Sequence, residues 1–358
     1  MRLSPYVPKH QLGLSLIELM VGLVIGLVTT LVIMQIFSTF EGQKRSTMGS
    51  ADAQTNGSIA LFSMQRDLQM AGFGLPVFNT QNPPLKCNPT ATVDHDGNAA
   101  TPVIDMFPIA IADGGGGASD TIQIRYSEDG ARSKAGVAIG VESLLGTDAI
   151  VENNLGCNGT DHADSNTGVG DVVMISTGAT CNMTRVNNTD AYLAANPKHI
   201  PLASTTGVVN GASITCMGPW NQFTYTVVNN QLQRNVASEV NATLLVSDIV
   251  NIQAQYGISD AAGSNKVTSW ISATAPWNAP SIDQRNRIKA VRVAVVARNG
   301  LLEKTNVTAA APVAWADEVG SPAPTIDLSA DANWQRYRYR VYETIIPLRN
   351  MIWSSSTF

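Results

Sequence analysis

The chain has 358 residues, of which 44% are hydrophobic and only 14% are charged. This composition is typical of a folded protein and argues against disorder along the whole length. The formal net charge of −5 argues against nucleic acid as the main partner, because phosphate binding needs a basic surface.

The first predicted elements are a short polar leader, residues 1–13, and a long apolar stretch, residues 14–40. As a helix, the apolar stretch would be roughly 40 Å long, at about 1.5 Å per residue. That length exceeds the ~30 Å hydrocarbon core of a bilayer. Arg2 and Lys9 precede the apolar stretch, so we expect the leader to stay in the cytoplasm and the rest of the chain to be exported.

Two residues distinguish this stretch from an ordinary signal sequence. A secretory signal has its small-residue cleavage site after the apolar region, whereas Gly13 lies before it. Glu18 places a carboxylate inside the stretch, which costs about 2.5–3.5 kcal/mol at a bilayer centre. Cleavage after Gly13 would give Leu14 a free α-amino group, which could pair with Glu18 of a neighbouring subunit and fix the axial register of the two helices. The alternative is that Glu18 extends to the lipid headgroups of a plain anchor.

The chain beyond residue 40 is predicted to be a helix followed by strands. The helix is expected to continue to Gly72 in a polar, amphipathic form and to stop before Pro76, with two sets of residues at helical spacing. The first set is Ile59, Phe62, Arg66, Gln69 and Phe73, and the second is Leu61, Met64, Leu68 and Ala71. The predicted strands are Thr121–Tyr126, Asp171–Ile175, Phe223–Val228, Ile249–Tyr256, Ile288–Arg298 and Gln335–Pro347. We therefore predict an α+β fold, in which residues 14–72 form a helix packed on an antiparallel sheet and residues 73–358 form a β-rich head with long loops.

The four cysteines indicate an oxidising compartment. They are scattered, even in number and lack metal-binding spacing, which favours two disulfides. Three pairings are possible, and we favour the one that links near neighbours without interleaving. The candidates are Cys87 with Cys157, and Cys181 with Cys216.

The sequence contains no recognisable catalytic or cofactor motif. Gly114–Gly117 lacks the lysine of a phosphate-binding loop, so a flexible turn is favoured. Asp94, Asp96 and Asn98 are a weak calcium candidate, but no glutamate closes the site and an Asp-Gly turn is the better interpretation. We therefore expect no metal, no cofactor and no enzymatic activity. The tryptophans that could stack on a sugar, if they shared a surface, are Trp270, Trp277, Trp315 and Trp334.

The segment from Lys9 to Val21 resembles the leader and cleavage motif of type IV prepilins. The resemblance implies that prepilin peptidase cuts between Gly13 and Leu14 and methylates Leu14, although phenylalanine is the usual residue there. Five later segments are similar to the PilW-type minor pilins. They are Met64–Gly74, Ser119–Tyr126, Gly170–Ser176, Val291–Asn299 and Tyr337–Asn350.

This resemblance implies a type IV pilin-like fold and a role in assembly. A PilW-type protein is expected in the inner membrane with its head in the periplasm, and later in the pilus fibre or its tip at the cell surface. It would join other minor pilins and the major pilin, with a tip adhesin as a further candidate partner, to prime pili that serve twitching motility, adhesion and DNA uptake. The alternatives are a minor pseudopilin of a type II secretion system, a tip adhesin that binds a host surface or glycan, and a membrane-anchored periplasmic enzyme.

Overall fold

The structure of the protein is a computed structural model, and it divides into two compact units, Met1–Ala51 and Asp52–Phe358. The described residues are 13, 15–75, 88–91, 107–127, 138–154, 156–162, 169–177, 180–236, 242–315 and 323–353.

A long N-terminal helix, α1, runs over Leu16–Met70 and is followed by a turn. It ends where the sequence supplies a glycine, because Gly72 has a φ of +76°, which residues with a Cβ rarely adopt. The remaining helices of the described chain are short: α2 (Asp190–Ala195), α3 (Ile282–Arg287) and α4 (Arg349–Trp353).

The described strands form three sheets, in which the pairs are antiparallel except for that between β1 and β7. A seven-stranded sheet has the order β1-β7-β6-β9-β4-β5-β8. Its strands are β1 (Asn88–Ala91), β4 (Ile139–Leu145), β5 (Asp148–Val151), β6 (Val172–Ser176), β7 (Thr180–Arg185), β8 (His199–Pro201) and β9 (Ser213–Gly218).

The other two sheets come mostly from the second half of the chain. The five-stranded sheet has the order β12-β11-β10-β3-β2, and the four-stranded sheet has the order β14-β13-β15-β16. The five-stranded sheet contains β2 (Ile109–Ala112), β3 (Thr121–Ser127), β10 (Trp220–Val228), β11 (Gln231–Val236) and β12 (Thr243–Ser247). The four-stranded sheet contains β13 (Ile249–Ile258), β14 (Ser269–Ser272), β15 (Ile288–Arg298) and β16 (Tyr339–Pro347).

The C-terminal part of α1 and the five- and four-stranded sheets share one hydrophobic core, which we call the trunk. The trunk comprises the described residues of the ranges 52–75, 107–127 and 220–353. The trunk core buries Ala53, Ala60, Met64 and Leu68 of α1 and Ala71 of the turn after it, which follow one another at helical spacing. Each fully buried side chain of the size of leucine or methionine stabilises the fold by about 1.5–3 kcal/mol. The α+β fold class is thus confirmed, with helix packed on antiparallel sheet.

A buried carboxylate joins the two sheets of the trunk. Asp120 is 4% exposed, and its Oδ1 accepts the backbone N–H of Gly114 at 3.0 Å. Its Oδ2 accepts the N–H of Ala254 on β13 at 2.7 Å. Burial raises the pKa of Asp120 to about 6, although both hydrogen bonds oppose that rise.

A second folded region, which we call the insert, comprises residues 138–218. It leaves the trunk after β3 and returns at β10, and those two strands pair directly, with Ile124 opposite Phe223. The insert supplies six strands and α2, and it has its own hydrophobic cluster, which includes Val173, Ile175 and Ile214. Since β9 ends at Gly218 and β10 begins at Trp220, the chain passes almost directly from the insert into the trunk.

Three details differ from the sequence-based expectations. The head has three sheets in its described part rather than one. The last predicted strand begins at Tyr339 rather than Gln335, because Trp334–Arg336 forms a 3-10 turn. Of the two predicted helical sets, the one with Met64 and Leu68 is buried, whereas Phe62 is 69% exposed.

Candidate functional site

The first half of α1 has apolar side chains that are largely exposed. Its large apolar side chains from Leu16 to Phe40 are each 49% exposed or more. By length and composition alone, α1 could cross a membrane, and its most apolar window is not buried. An exposed apolar helix of this length needs lipid or neighbouring helices around it.

Glu18 has a partner that the sequence analysis missed. The Ser15 Oγ accepts the backbone N–H of Glu18 at 3.2 Å, and Oε2 of Glu18 accepts the N–H of Ser15 at 3.1 Å. This reciprocal pair is a capping box, which satisfies two of the free N–H groups at the start of a helix. The signal was present in the sequence as Ser-x-x-Glu directly before the apolar stretch.

The hydroxyl groups within the apolar half are also satisfied locally. Thr29 Oγ1 donates to the carbonyl of Ile25 at 2.8 Å, and Thr30 Oγ1 donates to that of Gly26 at 2.8 Å. Such bonds to the preceding turn remove the cost of placing a free hydroxyl in hydrocarbon. The predicted cleavage and methylation site stays a prediction: Gly13 is exposed, and Leu14 lies outside the described residues.

A buried polar cluster fastens the C-terminal part of α1 to the five-stranded sheet. Asp67 is 3% exposed, and its Oδ2 accepts the hydroxyl of Tyr225 on β10 at 2.5 Å and Nη1 of Arg234 on β11 at 3.2 Å. The Arg234 guanidinium also lies 4.6 Å from the centre of the Phe223 ring. Burial, followed by the bond to Asp67, raises the pKa of Tyr225 well above its ordinary value, so the phenol stays a donor.

A glycine provides a second point of attachment. A Cβ at Gly57, in the middle of α1, would overlap the ring of Tyr342 on β16. Glycine inside a helix normally costs about 1 kcal/mol relative to alanine. The close approach of the Tyr342 ring explains why the helix contains glycine here.

The end of α1 is held by backbone and amide bonds. The N–H of Gly72 donates to the carbonyl of Arg125 at 2.9 Å. Nδ2 of Asn350 donates to the carbonyls of Gln69 and Ala71, both at 3.2 Å. The two bonds from Asn350 satisfy carbonyl groups that the end of a helix leaves free, and the bond from Gly72 ties the following turn to β3.

The disulfide pairing expected from the sequence is wrong. The structure joins Cys157 to Cys216, with a Cα–Cα distance of 5.4 Å. Cys181 is also disulfide-bonded, and Cys87 lies outside the described residues. Cys181 and Cys216 lie on opposite faces of the seven-stranded sheet, because Cys181 belongs to the cluster with Met174 whereas Cys216 belongs to the other cluster of the insert. Since successive residues of a strand point to opposite faces, this separation cannot be inferred from distance along the chain.

The remaining candidate residues do not assemble into one site. Among the described residues no group of three or more metal-binding side chains occurs, and the calcium candidate Asp94, Asp96 and Asn98 lies outside them. Two aspartate–histidine pairs lie in the insert: His162 Nδ1 is 2.6 Å from Asp190, and His199 Nδ1 is 2.9 Å from Asp148.

The four tryptophans do not share a surface. Trp270 and Trp315 lie on either side of the Arg292 guanidinium, at 5.0 and 4.3 Å from their ring centres. Trp277 is buried in the trunk core, whereas Trp315 and Trp334 both pack against the cluster on the opposite face of the four-stranded sheet. The sugar-stacking surface considered from the sequence therefore does not include Trp277.

Residues 220–350 match the family model of PilW, the type IV pilus-assembly protein W. The match begins at the first residue of β10, where the chain returns from the insert, and ends within α4. It therefore covers most of the trunk, including Tyr225, Arg234 and Tyr342, which hold α1. No curated protein and no solved structure matches the chain.

Proposed function

We propose that the chain is a minor pilin that helps to prime type IV pili and to assemble the pilus tip. The observation that carries the proposal is the link between two parts of the sequence. The helix α1 begins with prepilin-like residues, and its C-terminal turns are held by side chains from the PilW-matching region, through Asp67, Tyr225 and Arg234. The assembly helix and the PilW-like sheets are thus parts of one folded protein.

In this role the apolar half of α1 anchors the protein in the inner membrane before assembly. Prepilin peptidase removes the leader after Gly13 and methylates Leu14, and the helix then packs among the helices of neighbouring pilins. The head stays in the periplasm until the complex reaches the pilus tip. The protein works by binding other minor pilins and the major pilin, and it catalyses no reaction.

The capping box leaves one carboxylate oxygen of Glu18 available for the proposed pairing with a neighbouring subunit. The bond from Ser15 needs only its backbone N–H, which survives cleavage after Gly13. It uses Oε2, and no described residue bonds to Oε1 of Glu18. Oε1 can therefore accept the α-amino group of Leu14 from a neighbouring subunit while the helix start stays capped. The capping box therefore lowers the free-energy cost of placing the Glu18 carboxylate in a membrane, compared with a glutamate that caps no helix.

The proposal is tested by deleting the gene in its own bacterium and restoring it on a plasmid. The deletion is expected to remove surface pili and twitching, and the unchanged gene is expected to restore both. A Glu18→Ala variant should accumulate in the membrane without restoring pili, whereas Glu41→Ala, an exposed carboxylate further along α1, should restore them. Normal piliation with a loss of protein secretion would favour the pseudopilin instead. Normal piliation and normal secretion would contradict an assembly role.

A further inference from the structure

The four-stranded sheet ends in a strand that is paired on one side only. β16 pairs with β15 along its whole length, from Tyr339 opposite Arg298 to Pro347 opposite Ala290, without a bulge. It is the last strand in the sheet order, so its other edge is not bonded to any described strand. Such an edge presents free backbone donors and acceptors.

The backbone pairing shows which residues face the open edge. The N–H of Leu348 donates to the carbonyl of Lys289, and the N–H of Asn299 donates to that of Arg338. In antiparallel strands every second residue is hydrogen-bonded to its partner, so the even-numbered residues of β16 face β15. The odd-numbered residues therefore direct their backbone groups outwards. Pro347, which has no N–H, occupies one of these outward positions, so it costs the sheet no hydrogen bond.

The outward groups of Val341, Glu343 and Ile345 have no hydrogen-bond partner among the described residues. Proteins usually protect such an edge with a bulge, a covering loop or a charged side chain. Here the Glu343 carboxylate instead accepts the backbone N–H of Trp315 at 2.7 Å. Ile345 is 60% exposed. This edge is therefore open to an added strand.

The surface beside Ile345 suits a protein partner. Ile345 lies directly opposite Arg292, whose guanidinium is stacked between Trp270 and Trp315. Tryptophan and arginine are enriched among the residues that dominate the binding energy of protein interfaces. A strand added to β16 would place an apolar side chain against Ile345, next to these three residues.

A second copy of the chain fits this edge poorly. A two-fold antiparallel pairing that uses all three outward residues sets Val341 opposite Ile345 and each Glu343 opposite the Glu343 of the other copy. Like charges directly opposite each other destabilise a strand pair. This two-fold pairing is therefore disfavoured, which favours an extended strand from a different protein as the occupant.

We propose that the open edge of β16 binds an extended β-strand of another pilin subunit, and the identity of that partner rests on the proposed function. The main-chain groups of Val341, Glu343 and Ile345 would supply the hydrogen bonds. The exposed side chain of Ile345 would select an apolar residue on the incoming strand.

The test uses the full chain in its own bacterium, with the photo-crosslinking residue benzoylphenylalanine in place of Ile345. The matched control carries it at Leu244, which is 52% exposed on β12, the edge strand of the five-stranded sheet. Mass spectrometry identifies the linked peptides and reads the N-terminus of the same protein. We expect the residue at position 345 to crosslink to a strand of another prepilin. This product should be about tenfold more abundant than any product from position 244, because an added strand forms several hydrogen bonds to β16.

Two variants at Ile345 disturb the open edge in different ways. Ile345→Pro removes the outward N–H together with the isoleucine side chain, and Ile345→Lys replaces the side chain by a charge while leaving every backbone group intact. Both should lose the co-purifying pilin, and Leu244→Lys should retain it. Retention in both β16 variants, equal crosslinking at the two positions, or products with a second copy alone would overturn the proposal. If the leader is cleaved but no strand of another protein is crosslinked at position 345, strand binding alone is overturned. If a strand is crosslinked but the leader stays uncleaved, the proposed pilin function alone is overturned.

Discussion

The trunk and the insert are stabilised in different ways. The PilW-matching strands of the trunk are long and lie against α1, so their core is completed by a helix from the start of the chain. The insert has shorter strands, a separate core and the Cys157–Cys216 disulfide, which closes a sequence separation of 59 residues. A small β region that is covered only by a short helix such as α2 gains most from a covalent link. The difference indicates that the trunk carries the attachment to the C-terminal part of α1, while the insert folds largely on its own contacts.

The largest expected effect comes from removing the Cys157–Cys216 disulfide, which should destabilise the insert and leave the trunk unchanged. Replacing Cys157 and Cys216 by serine should destabilise the insert by about 4 kcal/mol, as the closure of a loop of this length implies. Amide exchange followed by mass spectrometry on the full chain in detergent should show fast exchange in β4–β9 and unchanged protection in β13 and β15. Tryptophan fluorescence in a Trp220→Phe background provides the control, since Trp220 packs against the Met174 cluster of the insert whereas the other five tryptophans lie outside residues 138–218 and should report an unchanged trunk. Equal loss of protection in both regions would show that they form one folding unit.

The next prediction concerns the attachment of α1. Asp67→Ala should destabilise the trunk by about 3 kcal/mol, because it leaves the Tyr225 hydroxyl and the Arg234 guanidinium without their shared acceptor. Urea unfolding of the full chain, followed by tryptophan fluorescence, measures the loss. Asp52→Ala, at an exposed position of the same helix, is the control and should change the free energy of unfolding by less than about 0.5 kcal/mol. An equal, small effect of both variants would mean that the polar cluster does not hold the helix.

A smaller effect is expected at the glycine beneath Tyr342. Gly57→Ala should destabilise the trunk by about 2 kcal/mol, because overlap with the ring outweighs the gain of about 1 kcal/mol in helix propensity. Gly42→Ala is the matched control, since its Cβ would meet no atom within 4 Å, and it should be neutral or stabilising. Adding Tyr342→Ala should remove most of the penalty of Gly57→Ala. If alanine stabilised the protein at position 57 as well as at position 42, the close contact between Gly57 and the Tyr342 ring would be contradicted.

The smallest effect is a dependence on pH through Asp120. Its pKa is raised from 3.8 to about 6 by burial, so the folded state prefers the protonated form. The stability that this group contributes is therefore fully present below about pH 4 and is lost as the pH rises through 6. Between pH 5 and pH 7 the loss should be about 1 kcal/mol. Urea unfolding of wild type and Asp120→Asn at both pH values should show the difference between them shrinking by that amount, whereas a constant difference would contradict the raised pKa.

The sequence predicted the trunk better than the insert for a physical reason. Ile288–Arg298 is a mostly apolar run, interrupted by Lys289 and Arg292, that is buried on both faces, and its strand was placed at the observed residues. The strands of the insert are short and are separated by segments rich in glycine, asparagine and threonine, and of these strands only β6 was predicted. Their pairing joins residues far apart in the chain, which local patterns do not encode.

The same limit applies to the candidate site. The apolar stretch and Glu18 were visible as a pattern, and the partner of Glu18 was visible too, as Ser15 three residues earlier. The Cys157–Cys216 bond and the contact of Gly57 with Tyr342 could not be predicted. Both depend on which face of a sheet a residue occupies and on which strands meet.

The most direct test of the proposed function is the N-terminus of the mature protein. The full chain is expressed with and without a prepilin peptidase, alongside a Gly13→Ala control, and its N-terminal peptide is sequenced by mass spectrometry. The account predicts a new N-terminus at Leu14 that depends on the peptidase and is reduced in the control. An intact leader in the presence of the peptidase, or cleavage beyond Phe40, would contradict it and make the protein an ordinary anchored or secreted one.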